Sequence, residues 1–380
     1  MTDNYQLIAP GPVQVPPNVL KEFAKPMIHH RTPEFTQILK ESKSLLKAAF
    51  ATENEVFCLS ATGSGAMEAA CVNLVECGDK VICINSGKFG ERWRDMARIL
   101  GAQVIEIKVS WGESLNLSIL EKTLKENTDA KVLFTQMCET STGALHDIKG
   151  VKDLLNKNAP DCLLAVDAIT GLLTAPLPMD DWAIDCIVAG SQKAFMLPTG
   201  LSFISLSARA KNKCYSCRSP RYYFDLRKEF EASEKDQTAF SSPVSHIRAL
   251  KIVLEDINSS GGYNQLFSRI AKRARLTRLG IEALGLSLFP LKPAPALSVV
   301  VLPENIDGKK LRSHIEEKYN ITLMGGQADL AGKIIRIGHI GYLNDSNVLA
   351  AVEALAKALL DFGHPLNIEG ALDSMKAELK

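Results

Sequence analysis

Between residues 55 and 206 the chain alternates short apolar runs with amphipathic stretches. Seven runs, at 56–59, 81–84, 104–107, 132–135, 163–166, 184–189 and 201–206, are almost continuously hydrophobic. A strand reads that way when both of its faces are covered. Stretches at 64–76, 90–100, 118–126 and 150–157 carry apolar residues at helical spacing between them. Strand–helix repetition of this kind predicts an α/β fold. Its mostly parallel, seven-stranded sheet is sandwiched by helices, and ligands lie at the strands' carboxyl ends.

Past residue 206 the texture changes. Residues 209–213 and 218–221 are polar and basic, and 231–243 reads as a charged, hydroxyl-rich loop. Long helical patterns follow at 244–259 and 263–284. A smaller α/β unit comes next, with strands at 296–302, 321–324 and 333–337 and helices at 309–319 and 344–362. The prolines at 10, 12, 16 and 17 keep the start of the chain from being helical throughout, and this segment is expected to cross the domain junction. The division expected is a large domain of residues 18–255 and a small domain built from 1–17 together with 256–380.

Composition narrows the class. Of 380 residues, 46% are hydrophobic and 23% charged, which is ordinary for a globular protein with a large core. Forty-four basic and 43 acidic side chains leave a net charge of +1, so no electrostatic footprint for nucleic acid or an anionic membrane is present. No apolar run reaches the roughly 20 residues that cross a bilayer. The opening residues lack the basic-then-apolar order of a secretory signal. Nine scattered cysteines, an odd number, speak for a reducing cytoplasm over a disulfide framework. Cys214 and Cys217 form a lone CxxC without metal-spaced histidines, so a surface strand with two thiols is expected and a metal site is not.

The chemistry concentrates on two residues. The apolar run ending at Gly190 breaks into Ser191-Gln192 and presents Lys193; 26 residues earlier, Leu163-Leu164-Ala165-Val166 ends on Asp167. An unpartnered buried carboxylate costs several kcal/mol, so Asp167 calls for either a turn N–H or a cation. An amine and an acid at neighbouring strand ends are what pyridoxal phosphate needs: the amine for a Schiff base, the acid for the pyridine nitrogen. Other groups lie at similar strand ends. Thr62-Gly63-Ser64-Gly65 opens a helix whose free N–H groups can hold a phosphate, although it is neither a Walker loop nor GxGxxG. Phe89 can stack on a flat ring or pack as a core aromatic. Glu139-Thr140-Ser141-Thr142-Gly143 can reach a ring or simply form a turn. Arg336, in the apolar run Ile334-Ile335-Arg336-Ile337, suits a substrate carboxylate or an internal ion pair. His29, His30 and His339 read as structural.

Together these residues resemble the class V, fold-type I aminotransferases that use pyridoxal 5'-phosphate, with alanine–glyoxylate and serine–pyruvate aminotransferases the nearest in flavour. The likeness runs from Ala9-Pro10-Gly11-Pro12 to Arg336-Ile337-Gly338. It implies that Lys193 carries the cofactor as a Schiff base and acts as the base. It further implies that Asp167 pairs with the ring nitrogen, Phe89 stacks on the ring, and Ser141 sits beside it. Gly63, Ser64 and Gln192 would hold the phosphate, while Arg336, with Gly11 nearby, would hold the substrate. Ser241 matches a family threonine that reaches the phosphate from the neighbouring subunit, which implies a homodimer with shared sites. The substrates implied are a small amino acid and a 2-oxo acid such as glyoxylate or pyruvate. A 2-aminoethylphosphonate transaminase, a lyase or desulfurase on the same fold, and a non-catalytic binding module remain alternatives; the lack of cysteine after Cys217 counts against a desulfurase.

Overall fold

The computed structural model describes residues 5–379. Strand β1 (Gln6–Leu7) is followed by helices α1 (Pro17–Phe23) and α2 (Pro33–Phe50). Then come β2 (Val56–Leu59), α3 (Gly63–Leu74), β3 (Lys80–Asn85), α4 (Lys88–Ile99), β4 (Gln103–Lys108), α5 (Leu117–Glu126) and β5 (Val132–Gln136). A short hairpin, β6 (Cys138–Glu139) and β7 (Ala144–Leu145), precedes α6 (Ile148–Asn158), β8 (Leu163–Asp167), β9 (Cys186–Gly190) and β10 (Ser202–Leu206). Helices α7 (Ala208–Ser216), α8 (Leu226–Ser233), α9 (Val244–Ser259) and α10 (Gly262–Ala283) lead to β11 (Leu297–Val301). The last stretch holds α11 (Gly308–Tyr319), β12 (Ile321–Thr322), β13 (Met324–Gly325), β14 (Ile334–Gly338), α12 (Asp345–Asp361) and α13 (Ile368–Ala377).

Seven strands form the main sheet in the order β2-β10-β9-β8-β5-β3-β4. All neighbours are parallel except β10, which runs antiparallel to both β2 and β9. Strands β5, β8, β9 and β10 are buried at every position, as their unbroken apolar runs predict. Side chains of alternating parity feed two separate hydrophobic clusters. Leu164, Val166, Ile187 and Ala189 join one, and Leu163, Ala165, Cys186 and Val188 the other. The sheet therefore lies between two layers of helices, which is the expected architecture.

The C-terminal unit has a three-stranded antiparallel sheet, β11-β14-β13, with a third hydrophobic cluster beneath α11, α12 and α13. Strand β1 pairs in parallel with β12, so the beginning of the chain joins the later part. The run 321–324, expected to be one strand, is two: β12 pairs with β1, and β13 pairs with β14.

Local chemistry explains several boundaries. Thr32 caps α2 by accepting from Phe35 N at 3.3 Å, with Pro33 in the first turn, where its missing N–H costs nothing. Helices α1 and α2 lay outside the sequence reading, because their prolines masked the helical spacing that follows each of them. Residues 208–216 form α7 and not the expected surface strand. Ser207 caps that helix, and the Cys214 and Cys217 thiols are buried against α3, where Cys217 Sγ donates to Val72 O and Val75 O. Helix α8 reaches into the stretch read as a loop.

One ion pair lies inside the sheet layer. Asp185 accepts from Leu164 N, Ser207 Oγ and Lys152 Nζ at 2.9–3.1 Å, and both charged side chains are 2% exposed. Removing one partner strands the other charge, which costs roughly 3–5 kcal/mol. Lys152→Met is expected to lower the unfolding free energy measured in urea by an amount in that range, with Lys152→Met/Asp185→Leu recovering most of the loss.

Candidate active site

The carboxyl ends of β3, β5, β8 and β9 lie side by side, and the turns that leave them carry most of the candidate residues. Register places Asp167 opposite Gln136 on β5 and Val188 on β9. Lys193 follows β9 by one turn, in which Ser191 Oγ donates to Pro198 O at 2.7 Å. Asp167 and Lys193 are both buried, and each influences the other's titration.

Their protonation is unusual. Burial pushes the Asp167 carboxyl up to about 7, against the donation of Ile169 N to Oδ1 at 2.8 Å and the pull of the cations Arg92 and Lys193. Burial, and after it the charge of Arg336, brings the Lys193 amine down to about 8. Its Nζ donates to Pro10 O at 2.8 Å. Gly11 lies directly against the lysine: a β-carbon there would fall 2.3 Å from Cδ and 2.5 Å from Nζ, and φ is +127°. The N-terminal segment thus closes over Lys193 with main chain alone.

Beneath the site is a polar network that sequence reasoning did not assign. Glu139, fully buried, accepts from Phe89 N, Gly90 N and Ser141 N, each at 3.1 Å, from Ser141 Oγ at 2.5 Å and from Gln136 Nε2 at 3.2 Å. Burial raises its pKa, and the hydrogen bonds oppose that rise. The carboxylate serves the first N–H groups of α4, which are orphan donors at a helix start. It thereby fixes the backbone of Phe89 and the hydroxyl of Ser141. Gln136 Nε2 also reaches Ser86 Oγ at 2.9 Å, which is 2.7 Å from His146 Nε2. Leu115 N donates to His146 Nδ1, so the ring proton sits on Nε2 and points to Ser86. Burial holds His146 near 4, and it stays neutral. The signal for this network was the glutamate directly after Met137-Cys138 at the end of a buried strand, but nothing local told where its donors would come from.

Helix α3 begins at Gly63 with no side-chain cap. Arg92, one turn into α4, donates from Nη1 to Ser64 Oγ at 2.7 Å, and its guanidinium lies 4.9 Å from the centre of the half-buried Phe89 ring. Arg92 was also missed, since an arginine on an amphipathic helix looks like a solvated face. Gln192 turns back against Gly190, and its buried Oε1 has no hydrogen-bond partner.

Arg336 reaches the site from β14. Its Nε donates to Gly325 O at 2.9 Å and its Nη1 to Thr140 O at 3.0 Å. It is buried and makes no ion pair among the described residues. Burial and the nearby Arg312 lower its pKa to about 10. The internal salt bridge considered from sequence is therefore not what holds it. Ser241 is not brought to Lys193 within one chain. It is exposed and lines a separate small groove with Ser60, Tyr223 and Glu229. His339 is structural: its Nδ1 lies 2.7 Å from Pro295 O, in full burial.

Asp167 gives a direct test of this electrostatic picture. Its folded pKa lies above that of an unfolded aspartate, so the folded state loses stability as pH rises through about 4 to 7. In the cofactor-free protein, Asp167→Asn is expected to raise Tm, by more at pH 8 than at pH 5. Equal changes at the two pH values would contradict the burial effect.

Comparisons with known proteins bear on the family and the fold. The family described as Aminotransferase class-V matches residues 8–352. The small subunit of a soluble hydrogenase from a Synechococcus strain is 35% identical, with 98% of this chain and 97% of that protein covered. The L-aspartate–glyoxylate aminotransferase of Paracoccus denitrificans is 31% identical, covering 97% and 94%. The crystal structure of ureidoglycine–glyoxylate aminotransferase from Bacillus subtilis superimposes with a TM-score of 0.94 at 27% identity, covering 100% and 99%.

Proposed function

The chain belongs to the class-V aminotransferase family, and from that premise we propose that it moves the amino group of a small amino acid to a 2-oxo acid of the glyoxylate or pyruvate type. It is an aminotransferase that depends on pyridoxal phosphate. The observation that carries the residue assignments is a set of groups left incomplete around the carboxyl ends of the main sheet's strands and the facing strand β14. Asp167 has a single N–H donor, Arg336 has only carbonyl partners, Gln192 Oε1 has none, and the start of α3 has no cap. Each lacks what the cofactor or substrate would bring: a cationic ring nitrogen, a carboxylate, a hydrogen-bond donor and a phosphate. The residues present therefore fit the group.

When bound, pyridoxal phosphate supplies an aldehyde that captures amines and a ring that withdraws electrons from the carbon next to the captured nitrogen. The rest is done by the chain. Lys193, with its pKa near 8, is substantially neutral in mildly basic solution; it would hold the aldehyde covalently and, once a substrate's amine has displaced it, would be free to take a proton from a substrate carbon and return it. Asp167 holds a positive nitrogen and is itself kept ionised by that charge. Glu139 fixes Phe89 and Ser141 beside the ring position. Gly63 and Ser64 offer helix-start N–H groups to the phosphate, Arg92 adds a cation next to Ser64, and Gln192 can add an amide. Arg336 orients the substrate by its carboxylate, with Gly11 leaving room above Lys193.

Ser241 has its role only if a second copy brings it to the site, so a homodimer with shared sites is part of this reading; its exposure in the single chain supports that. The division into residues 18–255 and 1–17 with 256–380 belongs here too, supported by the β1–β12 pairing. Cytoplasmic placement is supported by nine cysteines that form no disulfide. No helix among the described residues is long and apolar enough to cross a membrane. The named glyoxylate aminotransferases favour glyoxylate as acceptor.

Lys193→Ala is expected to abolish the visible absorbance of the bound cofactor and nearly all turnover; a variant that keeps both removes the assignment. Arg336→Ala is expected to raise substrate KM by about tenfold or more, with a smaller fall in kcat. An unchanged KM would make Arg336 a purely structural tie between Gly325 and Thr140. A screen of alanine, serine and aspartate as donors against glyoxylate and pyruvate, read by bleaching of the visible band, identifies the pair.

A further inference from the structure

A second concentration of positive charge lies apart from the candidate active site. A cavity of about 260 Å³ opens where the end of α9, the first half of α10 and residues 341–343 meet. Arg269 and Arg273 line it, four residues apart and so on one face of α10. The Arg273 side chain is only 10% exposed. Its Nη1 donates to His339 O at 3.2 Å, but the buried Nε atoms of both Arg273 and Arg269 lack an acceptor. Burial depresses the Arg273 guanidinium, the charge of Asp345 opposes that, and the charge of Arg269 adds to it.

Two acids lie close by, and neither gives either Nε a hydrogen bond. Asp256, which lines the cavity, accepts from Asn18 at 2.7 Å. Asp345 is 3.0 Å from Lys272 and only 3.8 Å from Arg273 Nε, beyond hydrogen-bond reach. Arg273, buried, and Arg269, half-buried, each keep a buried Nε without an acceptor beside one cavity, and an anion that joined them would supply it. The planar fork of arginine matches the oxygens of a carboxylate or phosphate.

We propose that this cavity binds a small oxyanion, a phosphate or carboxylate group, through Arg269 and Arg273. Its walls come from α9, from α10 and from the segment that follows β14, with Pro16 and Asn18 near the start of the chain and Met196, three residues past Lys193, completing them. An occupant would therefore tie the last helix of the large unit to the strand that carries Arg336.

The test uses the holoenzyme, in which the cofactor occupies its own phosphate cradle. Tm is measured in rising phosphate, succinate and chloride at matched ionic strength. Phosphate, succinate or both are expected to give a saturable rise of roughly 3 °C above chloride. Arg269→Gln is expected to abolish that rise while kcat and KM in chloride stay unchanged, which separates it from succinate bound at Arg336. Arg273→Lys, which keeps the charge without the fork, is expected to reduce it. A response to phosphate alone assigns the site to a tetrahedral anion, and one to succinate alone to carboxylates. Equal responses to all three salts, or a full response in Arg269→Gln, overturn the proposal.

Discussion

The structure turns on a carboxylate placed where it cannot be comfortable. Asp167 ends a strand buried on both faces, and the fold offers it one main-chain N–H. The parallel sheet makes this position unavoidable. Strand β8 lies between β5 and β9, so its carboxyl end is enclosed by the turns that leave both neighbours. A group held this way favours whatever positive charge enters the site, and the neighbouring amine on the turn after β9 is pushed toward neutrality by the same exclusion of water. Acid and amine thus acquire opposite shifts from one physical cause, as sites for proton transfer commonly require.

Glu139 solves a different problem. It too is buried, but five donations surround it, so the fold completes it without a ligand. The contrast between the two acids distinguishes construction from function. The first is a fastener that fixes the hairpin β6–β7 against the start of α4. The second is a socket.

Much of this was legible in the sequence because buried parallel strands write themselves as unbroken apolar runs, and their ends are marked by the first polar residue. That is why the bounds of the seven main strands lie within two residues of those expected, with Asp167 and Lys193 at or just past strand ends. Helices α1 and α2 were not legible because prolines at their starts resemble loop punctuation. The β12–β13 division was hidden because four residues carry no mark of which sheet each joins. Arg92 and the partners of Glu139 were hidden for a related reason: their meaning depends on which helix start faces which hairpin, a fact of tertiary arrangement. The CxxC pair misled because a short helix with its thiols turned inward has no long periodic pattern.

The grip on Lys193 is made by a peptide carbonyl and by the absence of a side chain at Gly11. Every amino acid brings the same carbonyl, so position 10 can vary in its side chain without removing the acceptor, whereas position 11 tolerates no added atom unless the lysine moves. The same stretch of backbone runs back to β1, hydrogen-bonded into the C-terminal unit through Ile8 O and Gly338 N. The carbonyl that receives the Lys193 amine and the strand that carries Arg336 are therefore joined through three residues of backbone, Ile8 to Pro10.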